Sequence, residues 1–259
     1  MPDVVLVDVT DRVATITLNR PDQRNALSTE VLRVLPRAVA ECDERDDVDV
    51  MILTGADPAF SAGIDLKELG SRSGNSGMAA PPTDRRGPLP PRTKPLIGAI
   101  NGVAVTGGFE LALACDFLVA SERARFADTH SRVGIQPGWG LTVLLAEAVG
   151  VRRARELSAT GNFLDANTAL TWGLVNHVVA HDELLPFCRP LASDIVSNDQ
   201  AGVRQILATY AAGSLTTADA WWDLEIRTSR EWMSKGGGKG EEVEKRREAI
   251  MARGRKQVG

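Results

Sequence analysis

This chain lacks most of the features that would assign it quickly. Its three cysteines, Cys42, Cys115 and Cys188, are odd in number and widely spaced. They fit neither a disulfide framework nor a zinc site, and a reducing cytoplasm is the expected setting. No apolar run approaches the roughly 20 residues needed to span a bilayer, and the N-terminus reads as an alternating strand rather than a signal peptide. With 30 Lys and Arg against 34 Asp and Glu, the net charge is −4. That balance predicts neither nucleic-acid nor membrane binding. There is no G-x-S-x-G elbow, which argues against a serine hydrolase, no Walker or dinucleotide fingerprint, and no internal repeat. His177 and His181 stand one helical turn apart in sequence, but His177 ends an apparent strand and no carboxylate completes a metal set. They are read as surface or loop histidines, and no metal is expected.

What remains is ordinary in bulk and particular in detail. At 259 residues, 43% hydrophobic and 25% charged, the chain suits one large domain or a domain with an appendage. Residues 4–9 and 13–18 are β-rich runs joined at Thr10-Asp11-Arg12, which predicts a hairpin. Ser28 is a candidate N-cap for a helix over 29–45. The apolar residues Val31, Leu32, Leu35, Ala38, Val39 and Cys42 keep helical spacing there, with Pro36 expected to kink it. Continuous strands are expected over 48–54, 96–105 and 117–120, so strands alternate with helices and the class is α/β. The stretch 70–93 is rich in proline and glycine with little apolar patterning. It is read either as a flap beside the functional site or as a surface insertion without a role. Beyond residue 182 the pattern turns helical, over 183–197, 200–212, 217–234 and 241–253, with a glycine tract at 236–240.

Two runs carry the chemistry. In Pro58-Ala-Phe-Ser-Ala-Gly-Ile-Asp-Leu-Lys-Glu-Leu69, Asp65 and Glu68 have the spacing of a capping box, and Ile64 and Leu69 that of a hydrophobic staple. The chain therefore turns sharply at Ala62-Gly63-Ile64, freeing the Ile64 N–H from any ladder. In Asn101-Gly-Val-Ala-Val-Thr-Gly-Gly-Phe-Glu-Leu-Ala-Leu-Ala-Cys-Asp116, the Gly107-Gly108 pair permits close backbone approach. An apolar helix follows, and it contains Glu110 near its start. A carboxylate buried among apolar residues is costly without partners or a task. Helix starts present N–H groups with no partner inside the helix. Two such starts brought together would hold a carbonyl oxygen as it becomes an oxyanion, and Glu110 would supply acid/base chemistry beside it.

Together these runs resemble the crotonase family, the enoyl-CoA hydratase/isomerase superfamily. Asn19-Arg-Pro-Asp-Gln-Arg-Asn-Ala-Leu27 resembles its early CoA-contacting segment, and Val133-Gly-Ile-Gln-Pro-Gly-Trp-Gly140 its later glycine turn. The segment 164–178, with Trp172-Gly173-Leu174-Val175, resembles its second-half signature. The resemblance implies a spiral of ββα units with an acyl-CoA site over 1–195, then an α-helical C-terminal trimerisation region over 196–259. It implies homotrimers or dimers of trimers, acyl-CoA thioester substrates, and no cofactor apart from the coenzyme A carried by the substrate. It places the oxyanion donors at the N–H groups of Ile64 and Gly107 and the first catalytic glutamate at Glu110. Arg24, Ala26, Ala62 and Asp65 lie along the CoA moiety by the same resemblance, with Gly63, Gly108, Pro137 and Trp139 counted among the substrate-binding positions.

One position departs. The family's second catalytic glutamate follows the first by twenty residues, and here that position is His130, within Phe126-Ala-Asp-Thr-His-Ser-Arg-Val-Gly134. Histidine can also donate or accept a proton, and Asp128 is a candidate stand-in for the absent carboxylate. The expected activity is hydration of a 2-enoyl-CoA by Glu110 and His130. Isomerisation of a 3-enoyl thioester by Glu110 alone, or thioester hydrolysis or decarboxylation marked by His130, are the alternatives. A non-catalytic acyl-CoA-binding protein is the competing class.

Overall fold

The computed structural model describes residues 3–71 and 86–234, and beyond them positions 244, 247, 248, 251, 252 and 255. The chain opens with the expected hairpin: β1 (Val5–Thr10) and β2 (Val13–Leu18) pair antiparallel, with Thr10 opposite Val13. Asp11 and Arg12 turn at φ 51° and 65°, the two left-handed residues of a tight turn whose twist matches that of its strands. A helix, α1 (Thr29–Glu44), follows. The Ser28 hydroxyl accepts the Val31 N–H (3.3 Å), and Val31, Leu35, Ala38, Val39 and Cys42 form the buried face. Pro36 lies inside α1 without ending it.

Three ββα units come next. They are β3 (Val50–Gly55), β4 (Ala59–Ser61) and α2 (Leu66–Ser71); β5 (Leu96–Ile100), β6 (Val103–Val105) and α3 (Gly107–Leu113); and β7 (Phe117–Ser121), β8 (Arg125–Ala127) and α4 (His130–Val133). Two further helices, α5 (Leu141–Val149) and α6 (Val151–Thr160), lead to β9 (Leu164–Asp165), α7 (Ala166–Trp172) and β10 (His177–Val179). The first strand of each unit joins a six-stranded sheet of order β1-β2-β3-β5-β7-β10. The second joins a four-stranded sheet of order β4-β6-β8-β9. Successive units therefore stack in parallel as a rising spiral, as the resemblance implies. One consequence sets the site: the turns that follow β4, β6 and β8 lie side by side. They carry Ile64, Gly107 and His130 respectively.

Alternation along the strands explains how the large sheet is covered. Met51, Leu53, Leu96, Ile100, Leu118 and Ala120 face the main core. Their neighbours Val50, Ile52, Ile97, Ala99 and Val119 point to the opposite face, against Leu184, Cys188 and Ala192. Those three residues lie on α8 (Leu184–Val196). Strands buried on both faces read as near-continuous apolar runs, which is why 48–54, with Val50-Met-Ile-Leu53 at its centre, was legible as a strand.

Three expectations need correction, and one stretch is located more closely. The run 96–105 is two strands in two sheets, not one. It breaks at Asn101-Gly102, where the Asn101 side chain donates to Asp57 (2.9 Å) and accepts the Gly55 N–H (3.3 Å). A Cβ on Gly102 would come within 2.5 Å of the Pro58 carbonyl oxygen. The helices expected over 200–212 and 217–234 are one, α9 (Gln200–Ser234), since a single interior glycine costs a helix only about 1 kcal/mol. The capping box at Asp65 is half formed. Asp65 accepts from the N–H groups of Lys67 (3.1 Å) and Glu68 (3.4 Å), but the Glu68 carboxylate accepts from Thr29 instead. The Asp65 N–H that Glu68 was expected to reach is taken by the Leu27 carbonyl (3.2 Å). Finally, the later part of 70–93 is anchored to the body. Leu89 is buried, Arg92 pairs with Asp116 (3.0 Å), and the Thr93 N–H donates to Asp43. Residues 72–85, the glycine tract at 236–240 and most of the helix expected over 241–253 lie outside the described residues.

Candidate active site

The first element of the site is a pair of turns packed backbone to backbone. Leu27 bridges the Gly63–Asp65 segment by donating to the Gly63 carbonyl (2.7 Å) and accepting from the Asp65 N–H (3.2 Å). That leaves the intervening Ile64 N–H turned away from the bridge, with no acceptor among the described residues. Gly107 begins α3, so its N–H has no partner within the helix, and none elsewhere among the described residues. Glycine is required where the turns meet. A Cβ on Gly63 would lie 2.4 Å from Thr106 Oγ1, and one on Gly108 2.5 Å from the Ser61 carbonyl oxygen. Gly63 also adopts φ +79°. Thr106 precedes the Gly107 donor at φ 51°, ψ −123°, a conformation costing a β-branched residue on the order of 1–3 kcal/mol. It is held there by four contacts: its N–H to Ala127 (3.2 Å), its carbonyl from Phe109 (2.9 Å) and Glu110 (3.0 Å), and its hydroxyl beside that of Thr129 (3.2 Å).

The second element is a chain of three ionisable side chains, all buried. Glu110 on α3 is 2% exposed, and its Oε1 accepts the backbone N–H of Trp139 (2.8 Å) and Gly138 (3.3 Å). The glycine turn before α5 therefore aims the carboxylate. Its other oxygen, Oε2, lies 3.4 Å from Nε2 of His130. The opposite ring nitrogen, Nδ1, lies 2.7 Å from Oδ1 of Asp128, which also accepts the His130 N–H (3.2 Å). Burial alone would lower the His130 pKa, but the Glu110 charge and the hydrogen bond to Asp128 outweigh it and raise the imidazole to about 10. Burial pushes Asp128 up, yet the hydrogen bond and charge of His130 pull its carboxyl below the usual range.

The other residues singled out from sequence are positioned as follows. Trp139 is buried, and a Cβ on Gly107 would meet its Cζ3 at 2.9 Å, so the indole lies against the start of α3. Pro137 is half-buried in the same glycine turn. Exposed Arg24, at φ 50°, accepts the Ala62 N–H through its carbonyl (2.9 Å). Ala26 and Asp65 are buried and joined through one side chain, that of Arg20, whose Nη1 reaches the Ala26 carbonyl (2.6 Å) and Asp65 Oδ2 (3.0 Å). Arg20 and Asn25 were not singled out from sequence. Asn25 fastens this loop to the Ala56 (2.7 Å) and Ala59 (2.6 Å) carbonyls, and nothing in the local pattern signals a contact that far along the chain. His181 lies elsewhere, bonded to Asp57 (3.0 Å) and Ser121 (3.1 Å). Among the described residues no cluster of His, Cys, Asp or Glu could hold a metal ion, and no helix is long and apolar enough to cross a membrane.

Comparison with known proteins places the whole chain. Residues 8–248 match the enoyl-CoA hydratase/isomerase family. A protein of Arabidopsis thaliana named "Probable enoyl-CoA hydratase 1, peroxisomal" is 39% identical over 94% of this chain and 91% of its own length. The short-chain-enoyl-CoA hydratase of Clostridium acetobutylicum is 37% identical over 77% of this chain and 78% of its own. The crystal structure of an enoyl-CoA hydratase from Mycobacterium tuberculosis superimposes with a TM-score of 0.82 at 49% identity, covering 90% of this chain and 99% of that one. The chain belongs to the enoyl-CoA hydratase/isomerase family and has the crotonase fold.

Proposed function

We propose that the protein is an enoyl-CoA hydratase, adding water across the double bond of a 2-enoyl-CoA thioester. The observation that carries this reading is the buried Glu110–His130 pair, 3.4 Å apart, beside two N–H groups that have no acceptor among the described residues. The thioester oxygen accepts from the N–H groups of Ile64 and Gly107 as the enolate forms. One such donor is worth about 2.7–4 kcal/mol of barrier. Glu110 and His130 hold the attacking water and handle its protons. Arg24, Ala26, Ala62 and Asp65 follow the CoA moiety, with Arg20 fixing the last of these. Gly63 and Gly108 let the two turns close on the thioester, and Pro137 and Trp139 line the acyl side. The reaction needs no cofactor beyond the coenzyme A in the substrate. Unpaired Cys42, Cys115 and Cys188 fit a cytoplasmic setting.

The test is loss of the conjugated thioester's absorbance with a short 2-enoyl-CoA, comparing the native protein with His130→Ala and His130→Glu. Native turnover that Ala abolishes is expected. No native turnover, with gain on His130→Glu, would instead assign the site to isomerisation, thioester hydrolysis or decarboxylation.

Protomers assemble through the helical region, as a trimer or a dimer of trimers. Ile206 and Tyr210 on α9 support this, being 58% and 74% exposed in the isolated chain. Light scattering should give the mass of three or six chains, and a monomer at assay concentration would exclude it.

A further inference from the structure

We infer that Asp128 is a positioning residue that fixes His130 as the proton donor of the reaction, leaving Glu110 as the base. This rests on the hydratase reading and divides the labour within it. Asp128 had been a candidate replacement for a carboxylate next to Glu110, but its oxygen bonds the far side of the imidazole, at Nδ1 (2.7 Å), and the backbone N–H of His130 as well (3.2 Å). A carboxylate can only accept, so Nδ1 carries a proton. Nε2 faces a second carboxylate oxygen, Glu110 Oε2, at 3.4 Å. With an acceptor at each ring nitrogen, both hold protons and the ring is the imidazolium. The charged groups facing it are Glu110 from α3 and Asp128 from the turn after β8. Arg132, on α4 itself, lies over the Phe163 ring.

The protons then balance. The water oxygen bonds to the β-carbon and its proton passes to Glu110 Oε2. The double-bond electrons move onto the thioester as an enolate held by the two N–H donors. The enolate α-carbon takes the Nε2 proton of His130. Glu110 returns its proton to Nε2 directly, and one water has been added. Asp128 touches no reacting atom; it keeps Nδ1 protonated and the ring aimed, as carboxylates do for histidines elsewhere.

The test is the pH–rate profile of native protein, Asp128→Asn and Asp128→Glu, with the His130 ring titrated by NMR in each. Native activity should persist well above neutrality and fall as pH rises through about 10, where the imidazolium is lost. For Asp128→Asn, kcat should drop roughly 10- to 100-fold with little change in KM. Its basic limb and ring titration should move together toward the ordinary imidazole value of about 6.5. Asp128→Glu should keep the basic limb near its native place. An Asn variant with the native profile would overturn the assignment. So would one that loses activity equally at every pH while its His130 titrates as in the native protein. The NMR titration of native protein separates this inference from the hydratase reading: a native His130 titrating near 6.5 overturns the role of Asp128 whatever the substrate proves to be.

Discussion

Glu110→Gln is expected to lower hydration turnover by about 10²- to 10⁴-fold, the range for removal of a positioned acid/base, with acyl-CoA binding retained. The variant is nearly isosteric, and its carbonyl oxygen can still accept the N–H groups of Trp139 and Gly138 that hold Oε1. The amide NH2 would then face His130 Nε2, setting donor against donor across the 3.4 Å gap that a carboxylate now bridges. The site keeps its shape and loses its base. Steady-state kinetics beside calorimetric titration with a saturated acyl-CoA should show kcat collapse at nearly constant affinity. A variant with native kcat would remove Glu110 from the chemistry. If neither native protein nor variant turned over any thioester while both bound it, the chain would belong to the non-catalytic class.

Gly107→Val should be harmful by a different route. A Cβ at this position would already lie 2.9 Å from Trp139 Cζ3 and 3.3 Å from both Ile64 Cδ1 and Leu27 Cδ1. Valine adds two methyl groups to that crowding. Overpacking of this kind costs about 1–3 kcal/mol of stability. The greater loss is functional. Moving Gly107 displaces an oxyanion donor, worth about 10²- to 10³-fold in kcat. Pushing Trp139 disturbs the N–H that aims Glu110 (2.8 Å). Gly107→Ala should show the same defects in milder form, because a single Cβ asks the indole edge to shift by only tenths of an ångström. Denaturant midpoints with kcat separate the two contributions, and a Gly107→Val protein of full activity would sink the assignment of Gly107 as a donor.

The parts of this molecule that were legible in its sequence are those specified locally. The hairpin, the Ser28 cap, the buried strand now seen as β3 and the helix start at Gly107 each follow from a few neighbouring residues. The parts that were not are set by contacts between distant segments. The run 96–105 is apolar but for Asn101, so periodicity could not reveal that Asn101 bonds Asp57 and ends one strand. Glu68 has capping-box spacing, but a threonine at the start of α1 competes for it. The site shows the same division. Ile64, Gly107 and Glu110 were singled out by local spacing together with the resemblance to the crotonase family, and His130 by its departure from that family's motif. Asp128 could be noticed but not understood, because its task depends on which ring nitrogen it meets, and spacing does not encode that.

The most direct measurement is mass spectrometry of the products formed from a short 2-enoyl-CoA in ¹⁸O-labelled water. Hydration predicts one labelled oxygen in a 3-hydroxyacyl-CoA whose thioester is intact. Label in a free carboxylic acid would mean thioester hydrolysis. An unlabelled product with a displaced double bond would mean isomerisation. Either result would contradict the account of Glu110 and His130 as a pair that adds water.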